Sequence, residues 1–166
     1  MYFLGIDIGS LSCDAVLLED NGKVLSHEVI PTGARNQEAI QKVTRAVIDK
    51  AGIHQDQITA TVSTGYGRDR VDGRLAAVTE ISCHAHGIQT ALDKKIQILI
   101  DIGGQDSKAI LLDGAGRVAD FAMNDKCAAG TGRFLEAMAR ALQVDIRELS
   151  ELDHGARENL TLSSMC

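Results

Sequence analysis

The chain has 166 residues, a formal net charge of −6 and an aromatic content of only 3%. This length allows one domain or two small ones around an aliphatic core. The acidic balance, without any run of lysines or arginines, disfavours nucleic acid and anionic membranes as partners, and no apolar stretch approaches the roughly 20 residues of a membrane span. The N-terminus lacks the basic segment of a signal peptide, so we expect a cytoplasmic protein with reduced cysteines.

The first half of the chain is predicted to form three strands, a helix, a fourth strand and a second helix. Apolar runs bounded by turn residues predict strands at 2–8, 12–19, 24–30 and 58–63. Asn36 is expected to cap the first helix, whose apolar residues recur at helical spacing up to Gly52. The second helix is expected over 80–92, after a loop at 64–68.

The same order of strands starts again in the second half. Strands are expected at 96–101, 107–112 and 118–123, and helices at 129–142 and 145–152. The sequence finishes on the apolar run 160–166, where the second half still lacks the strand and helix that complete the first. We therefore expect a first domain over 1–93 and an incomplete second domain over 94–166.

Two segments of the chain are nearly the same. Residues 7–24 read DIGSLSCDAVLLEDNGKV, and residues 101–118 read DIGGQDSKAILLDGAGRV. They align without a gap, 94 positions apart, with eight identical residues. Each segment has an acid at the end of an apolar strand, then a glycine turn and a second apolar strand. A duplicated structural unit is the simplest explanation, and two such units facing each other would make a clamp for phosphate groups.

The acids and glycines of the repeat have a chemistry that suits a nucleotide. Asp7 and Asp101 stand at strand ends, where a carboxylate can hold Mg²⁺ directly or through water. Glycine lets backbone N–H groups approach phosphate oxygens. The candidate phosphate contacts are Gly9, Ser10, Leu11, Ser12, Gly103 and Gly104. One such turn alone is usually structural, whereas two copies with the same flanking hairpin are far more specific. Neither the P-loop nor the Rossmann fingerprint is present.

Several polar residues near these turns have two interpretations each. Gln105 and Asp106 either orient an attacking water or simply form the turn. His84 and His86 lie two positions apart on a helix and so do not share a face; we expect them to be solvated or to cap the helix. Arg68 could contact phosphate, but an exposed loop charge is the simpler interpretation.

Cys127 has the context of a metal ligand. It precedes the small residues at 128–132, just before an expected helix, whose N-terminus lowers the pKa of a thiol and suits an anionic cluster. Cysteines are more often buried small hydrophobes, and this is our interpretation of Cys13 and Cys83. Iron–sulfur clusters usually need four thiolates, which two cysteines supply if a two-fold axis relates two subunits.

The duplicated strand–DxG–hairpin unit resembles the ribonuclease H-like actin/hexokinase/chaperone ATPase fold. More narrowly, ISCHAHG at 81–87, IDIGGQDSKAI at 100–110 and MNDKCAAGTGRFLE at 123–136 are similar to motifs of the ATPase activators of 2-hydroxyacyl-CoA dehydratases and benzoyl-CoA reductases. The segments at 64–68 and 163–166 fit the same family. The resemblance implies an α/β fold with the first domain and the opening half of the second.

The resemblance also implies a function and a set of site residues. Such a protein is a homodimer that binds ATP with Mg²⁺ in each subunit and shares one [4Fe-4S] cluster, whose ligands would here be Cys127 and Cys166. Asp7, Asp101 and Gln105 would be the catalytic residues around the bound phosphates. Hydrolysis would drive one electron from a ferredoxin or flavodoxin to the dehydratase or reductase partner.

The chain departs from the family's pattern in its first hairpin. Leu11 takes the place of a threonine and Asp14 that of a lysine, so Asp14 either repels phosphate or points to solvent. Because the second half is incomplete, an alternative function is a truncated, catalytically silent ATPase fragment that binds phosphate weakly or self-associates through strand edges. A third hypothesis, a cluster-free sugar or acyl kinase of the same fold, is disfavoured by the motif at 123–136.

Overall fold

The computed structural model describes residues 1–92 and 95–158. The expected ligand Cys166 and the motif at 163–166 lie outside the described residues. Contacts divide the chain into two compact units. The first unit comprises 1–101 and 108–122, and the second comprises 102–107 and the described residues from Met123 onward. The domain boundary expected after residue 93 stays a prediction.

Eight strands and four helices make up the described structure, with two short 3₁₀ turns at Gln55–Gln57 and Arg68–Arg70. The strands are β1 (Tyr2–Ile8), β2 (Ser12–Glu19), β3 (Val24–Pro31), β4 (Ile58–Thr64), β5 (Ala76–Ala77), β6 (Ile98–Ile102), β7 (Ser107–Leu112) and β8 (Val118–Asn124). The helices are α1 (Asn36–Ala51), α2 (Glu80–Ala91), α3 (Gly132–Leu142) and α4 (Glu148–His154). Every expected element within this part of the chain is present, with ends shifted by three residues at most.

The larger sheet has the strand order β3-β2-β1-β4-β5. Strand β1 runs antiparallel to β2 and parallel to β4. Helix α1 packs its apolar stripe on this sheet, where Val43, Val47 and Leu17 are fully buried. Burial of each such side chain contributes roughly 1.5–3 kcal/mol, so this core holds α1 against the sheet and fixes the end of β1.

The expected cap of α1 is wrong. Asn36 is the first helical residue, and the N-cap is Arg35, whose carbonyl accepts the N–H groups of Glu38 (3.1 Å) and Ala39 (3.3 Å). No side chain of the described residues caps this end of the helix. The side-chain nitrogen of Asn36 instead lies beside Gly67 in the loop after β4, so a tertiary contact takes the place of the local one.

The smaller sheet has the order β6-β7-β8 and packs one face on α2. Ala85 of the helix is buried with Ile110 and Leu112 of β7. Ile98 and Ile100 occupy alternate positions of β6 and keep 63% and 69% of their surface exposed. They leave an uncovered aliphatic strip on this sheet. No helix in the described ranges is long and apolar enough to cross a bilayer.

The first turn of the repeat has the same hydrogen bond in both copies. The Gly9 N–H donates to the Ser12 carbonyl at 2.9 Å, and the Gly103 N–H donates to the Asp106 carbonyl at 2.9 Å. Each pair of residues is 94 positions from its counterpart. The duplication seen in the sequence is therefore also a duplication of local structure.

The second turn of the repeat is duplicated as well. The Gly22 N–H donates to Glu19 O at 2.9 Å, and the Gly116 N–H donates to Asp113 O at 2.9 Å. Both glycines have a positive φ, 83° and 77°, which glycine adopts without steric cost. The two hairpins therefore have the same length and close in the same way.

Helix α3 begins later than expected. Its N-cap is Thr131, whose N–H and Oγ1 both donate to the Ala128 carbonyl, at 3.0 and 2.6 Å. Cys127 thus stands before a separate turn rather than at the helix end, which corrects our expectation. Because the macrodipole effect fades within the first turn of a helix, it acts weakly on this thiol.

Candidate functional site

The acid of the first repeat faces a second acid. In the β1–β2 ladder Asp7 lies directly opposite Asp14. Asp14 Oδ2 accepts the Ser12 hydroxyl at 3.2 Å, whereas its Oδ1 is shielded from solvent and has no hydrogen-bond partner among the described residues. Of the two interpretations of Asp14, the one in which its side chain points to solvent is therefore wrong, because the register of the hairpin places it beside Asp7.

Burial and mutual repulsion change the acidity of these groups. Burial raises the pKa of Asp7 above its usual value, and the negative charge of Asp14 raises it further. The pKa of Asp14 is raised by burial, with the Ser12 hydroxyl acting in the opposite direction. Burial, helped by both carboxylates, raises the pKa of the Cys13 thiol to about 11. Cys13 is fully buried and protonated at neutral pH, which confirms its interpretation as a core residue.

The acid of the second repeat has cationic neighbours instead. Lys108 Nζ lies 3.3 Å from Asp101 Oδ2, and His84 Nδ1 lies 3.4 Å from the same oxygen. Lys108 is only 4% exposed. It occupies the position of the second repeat that corresponds to Asp14 in the first. The contact with Asp101 also corrects the expectation that His84 is solvated.

Glu80, the first residue of α2, connects the second acid to the loop after β4. Its Oε1 lies 4.0 Å from Lys108 Nζ and its Oε2 lies 3.5 Å from Arg68 Nη1. Arg68 also donates to the Gly65 carbonyl at 3.1 Å, so it is not the exposed loop charge that we expected. Thr79 caps the helix by accepting the Ser82 N–H at 3.4 Å.

Sequence reasoning missed Glu80 and Lys108. One signal was available for Lys108, because it stands seven residues after Asp101, as Asp14 stands after Asp7. The charges of His84, Glu80 and Asp101 all influence the pKa of Asp7, the first lowering it and the others raising it. The structure therefore brings the two repeat acids into one electrostatic environment within the first unit.

The loop at 64–68 packs on the end of β1. The Gly67 N–H donates to the Ile8 carbonyl at 2.9 Å. Gly65 has φ +84°, and a Cβ placed there would overlap Asp7 Oδ1 and stand 2.6 Å from the Ile8 carbonyl oxygen. Only glycine fits this position, so the loop limits where the Asp7 carboxylate can lie.

Both glycine turns present backbone donors. The Gly9 carbonyl accepts the Thr32 hydroxyl at 2.8 Å, and in the second unit the Gly103 carbonyl accepts the Gly132 N–H at 2.9 Å. These bonds anchor the turns by their carbonyl groups. Within the described ranges, no protein acceptor is bonded to the N–H groups of four turn residues, namely Ser10, Leu11, Gly104 and Gln105. Adjacent N–H groups of this kind can bind anions.

Cys127 is held by a side chain that precedes it. Asn124 Nδ2 donates to the Cys127 carbonyl at 3.0 Å, and the Cys127 N–H donates to Asn124 Oδ1 at 3.2 Å. Among the residues that the structure describes, no group of three or more His, Cys, Asp or Glu side chains is placed to hold a metal ion. The roles of Cys127 and Cys166 as iron ligands stay predictions.

Comparisons with known proteins agree on one family. The model of the BadF/BadG/BcrA/BcrD ATPase family matches residues 4–166. The activator of lactoyl-CoA dehydratase from Anaerotignum propionicum is 45% identical over 166 residues, which are 100% of this chain and 63% of that protein.

Two solved structures are similar to the whole described fold. The activator of the 2-hydroxyisocaproyl-CoA dehydratase from Clostridium difficile, with bound ADPNP, has a TM-score of 0.86 at 38% identity and is covered to 61%. The (R)-2-hydroxyglutaryl-CoA dehydratase component A from Acidaminococcus fermentans has a TM-score of 0.88 at 35% identity and is covered to 63%. Both alignments include 100% of this chain. The chain thus spans less than two thirds of the length of these relatives.

Proposed function

This chain belongs to the BadF/BadG/BcrA/BcrD ATPase family, and we propose that it is a cytoplasmic ATPase that activates a 2-hydroxyacyl-CoA dehydratase or a benzoyl-CoA reductase type of enzyme. Its fold is the α/β fold of the actin/hexokinase type, as the resemblance implied. One observation carries the proposal: two glycine turns with the same hydrogen bond, each directly after a strand whose second-to-last residue is an acid.

The turns are proposed to bind the phosphates of ATP. The N–H groups of Ser10 and Leu11 in the first turn, and of Gly104 and Gln105 in the second, would donate to phosphate oxygens. Since these are backbone donors, they do not depend on the threonine that Leu11 replaces. The ADPNP bound to the relative from Clostridium difficile supports a nucleotide as the ligand.

The acids are proposed to organise the metal ion and the attacking water. Asp7 and Asp14 offer hard oxygen donors, and the shielded Asp14 Oδ1, which lacks a hydrogen-bond partner in the described part of the chain, fits a cation such as Mg²⁺. Mg²⁺ is usually held by one or two carboxylates together with substrate phosphates, so a larger protein cage is not required. When bound, it would neutralise charge on the triphosphate. Lys108 and His84 would keep Asp101 in place beside the water, with Gln105 helping to orient it.

Calorimetry tests the nucleotide site directly. We expect the full chain to bind Mg·ATP with a measurable heat and Asp101→Ala to lose most of that heat. Asp120→Ala, which removes an exposed acid of β8, is the matched control and should bind as the unaltered chain does. Absence of any binding heat in the unaltered chain would reject the proposed nucleotide function.

A shared [4Fe-4S] cluster at a homodimer interface is the second part of the proposal. Family membership and Cys127 support it, with Cys166 as the other ligand in each subunit. A ferredoxin or flavodoxin would supply the electron that ATP hydrolysis drives to the partner enzyme. Anaerobic reconstitution should give about two irons per subunit. Cys127→Ala should abolish iron binding, whereas Cys83→Ala, which removes another cysteine, should retain it.

A silent, self-associating domain is the alternative, and one observation favours it. Ile98 and Ile100 expose an aliphatic strip on the smaller sheet, and exposed apolar patches promote association. If the chain forms oligomers in light scattering while it neither binds ATP nor takes up iron, this alternative replaces the first.

A further inference from the structure

The two repeats differ in charge at three corresponding positions, and at one of them, Asp14 and Lys108, the sign of the charge is reversed. In the first repeat Asp14 lies opposite Asp7, and in the second Lys108 contacts Asp101 at 3.3 Å. Both pairs involve the residue seven positions after the repeat acid. The two hairpins close with the same hydrogen bonds, so a side chain of opposite charge stands beside the repeat acid on a similar backbone in each copy.

The negative charge of the first repeat is poorly compensated. Asp14 Oδ2 accepts the Ser12 hydroxyl, and Oδ1 has no partner within residues 1–92 and 95–158. The other groups that influence Asp7 are the carboxylates of Glu80 and Asp101 and the imidazole of His84. The nearby cations are already engaged, because Lys108 contacts Asp101 and Glu80 and Arg68 contacts Glu80. An anion that approaches this turn therefore meets two adjacent carboxylates.

We propose that Asp14 is a specificity-determining residue that makes nucleotide binding depend on a divalent cation. The inference rests on the proposed nucleotide function. Two oxygen donors side by side, one of them shielded and unpartnered in the described structure, suit a hard cation. The same pair repels a metal-free triphosphate, which carries about four negative charges near neutral pH. With a lysine at this position the turn would attract the triphosphate directly, as a point charge attracts phosphate.

The test compares ATP affinity with and without metal. Dissociation constants are measured by calorimetry in excess MgCl₂ and in excess EDTA for the unaltered chain, Asp14→Lys and Asp14→Asn. We expect the unaltered chain to bind ATP at least 100-fold more tightly with Mg²⁺ than with EDTA. Asp14→Lys should reduce the ratio of the dissociation constant in EDTA to that in MgCl₂ at least tenfold, chiefly because metal-free ATP binds more tightly to this variant. Asp14→Asn, which keeps the side-chain shape, should change the ratio in the same direction by a smaller factor.

Asp20→Lys is the matched control. Asp20 lies at the other end of the same hairpin and is exposed, so this variant has the same net charge as Asp14→Lys without changing the site. It should leave the ratio as in the unaltered chain. Binding of Mn²⁺ alone, followed by electron paramagnetic resonance, gives a readout without nucleotide, and Asp14→Asn should weaken it at least fivefold.

The outcomes separate this inference from the function on which it rests. Suppose that the unaltered chain binds Mg·ATP and that in both Asp14 variants the ratio of the two dissociation constants stays within twofold of its value in the unaltered chain. The proposed nucleotide function then stands, while the role of Asp14 is rejected. An equal reduction in Asp20→Lys would also reject it, because net charge would then be the cause. If the unaltered chain binds ATP under neither condition, the proposed function and this inference fail together. Circular dichroism of each variant confirms that a folded protein was compared.

Discussion

Asp7 and Asp14 lie directly opposite each other in the antiparallel ladder of β1 and β2, so their carboxylates form a cross-strand pair on one face of the sheet. Like charges directly opposite in a sheet are destabilising, and burial adds to the cost of ionising each of them. Pairs of carboxylates with raised pKa values are typical of functional sites, where the binding of a ligand rather than the stability of the fold accounts for the residues. Its effect on stability can be measured without any ligand.

Asp14→Asn is expected to stabilise the metal-free chain at neutral pH. The native pKa of Asp14 is raised above its unfolded value, so its contribution to the free energy of unfolding is greatest below the unfolded pKa, near 3.9. That contribution falls as the pH rises through the native pKa. An asparagine at this position cannot ionise, so the variant does not lose this stability as the pH rises. It should therefore be more stable than the unaltered chain at pH 7.

Urea denaturation at pH 7 and pH 4 in EDTA measures the effect. The advantage of Asp14→Asn should shrink as the pH is lowered from 7 to 4, because protonation removes the charge of the unaltered carboxyl. Asp20→Asn, at an exposed position, should differ from the unaltered chain by no more than about 0.5 kcal/mol at either pH. An Asp14→Asn variant that is less stable at pH 7 would contradict the prediction.

Gly65→Ala should destabilise the chain by about 3 kcal/mol. The added Cβ costs about 1–2 kcal/mol for the left-handed conformation and also overlaps the carboxylate of Asp7 and the carbonyl of Ile8. Gly73→Ala is the matched control, since its φ is +70° while nothing in the described structure lies within 4 Å of its Cβ. It should cost only about 1 kcal/mol. Equal losses by thermal unfolding would mean that the close contact with Asp7 has no energetic effect.

Lys108→Met should destabilise the chain by about 3 kcal/mol, because it leaves Asp101 and Glu80 without their shared buried partner. Lys50→Met removes a comparable ion pair, with Glu28 at 3.3 Å, whose lysine is 55% exposed. An exposed pair contributes little, so this control should change the free energy of unfolding by no more than about 0.5 kcal/mol. Denaturant unfolding of both variants checks the difference, and similar losses would argue against a buried role for Lys108.

Thr131→Val should cost about 1 kcal/mol. Thr131 is fully buried, and the substitution removes the hydrogen bond from its hydroxyl to the Ala128 carbonyl at 2.6 Å. Thr90→Val removes a similar bond to the His86 carbonyl, at 2.9 Å, on the exposed side of α2. That control should cost under about 0.5 kcal/mol. A reversal of the two values in urea unfolding would show that the turn after Cys127 does not depend on this hydroxyl.

The order of strands and helices could be predicted because the periodicity of apolar residues is local. Strands β1 and β2 begin and end at the expected residues, since both alternate between buried and half-exposed positions. The prediction of a duplicated structural unit is confirmed for the turns, because the turn at Gly9 has the same hydrogen bond as the turn at Gly103. Local patterns of this kind need no knowledge of distant residues.

The direction of single polar side chains could not be predicted in the same way. Arg68 contacts Glu80, and His84 contacts Asp101, so both find partners that are distant in the chain. The environment of Asp14 depends on the register of the hairpin, which places it opposite Asp7. Composition and spacing do not determine such contacts. Comparison with Lys108 in the second repeat was the available clue, because it indicates which side chain lies beside the repeat acid.

The equal length and closure of the two hairpins also bear on how this chain diverged. When a segment is duplicated, both copies start with the same residue at every position, so a later difference records a change in at least one of them. Asp14 and Lys108 occupy such a pair of positions, in turns whose backbones have stayed alike. The two copies have therefore come to carry opposite charges at this position while the hydrogen bonds of both turns stayed the same, and each half of the molecule can serve as an internal reference for mutations in the other.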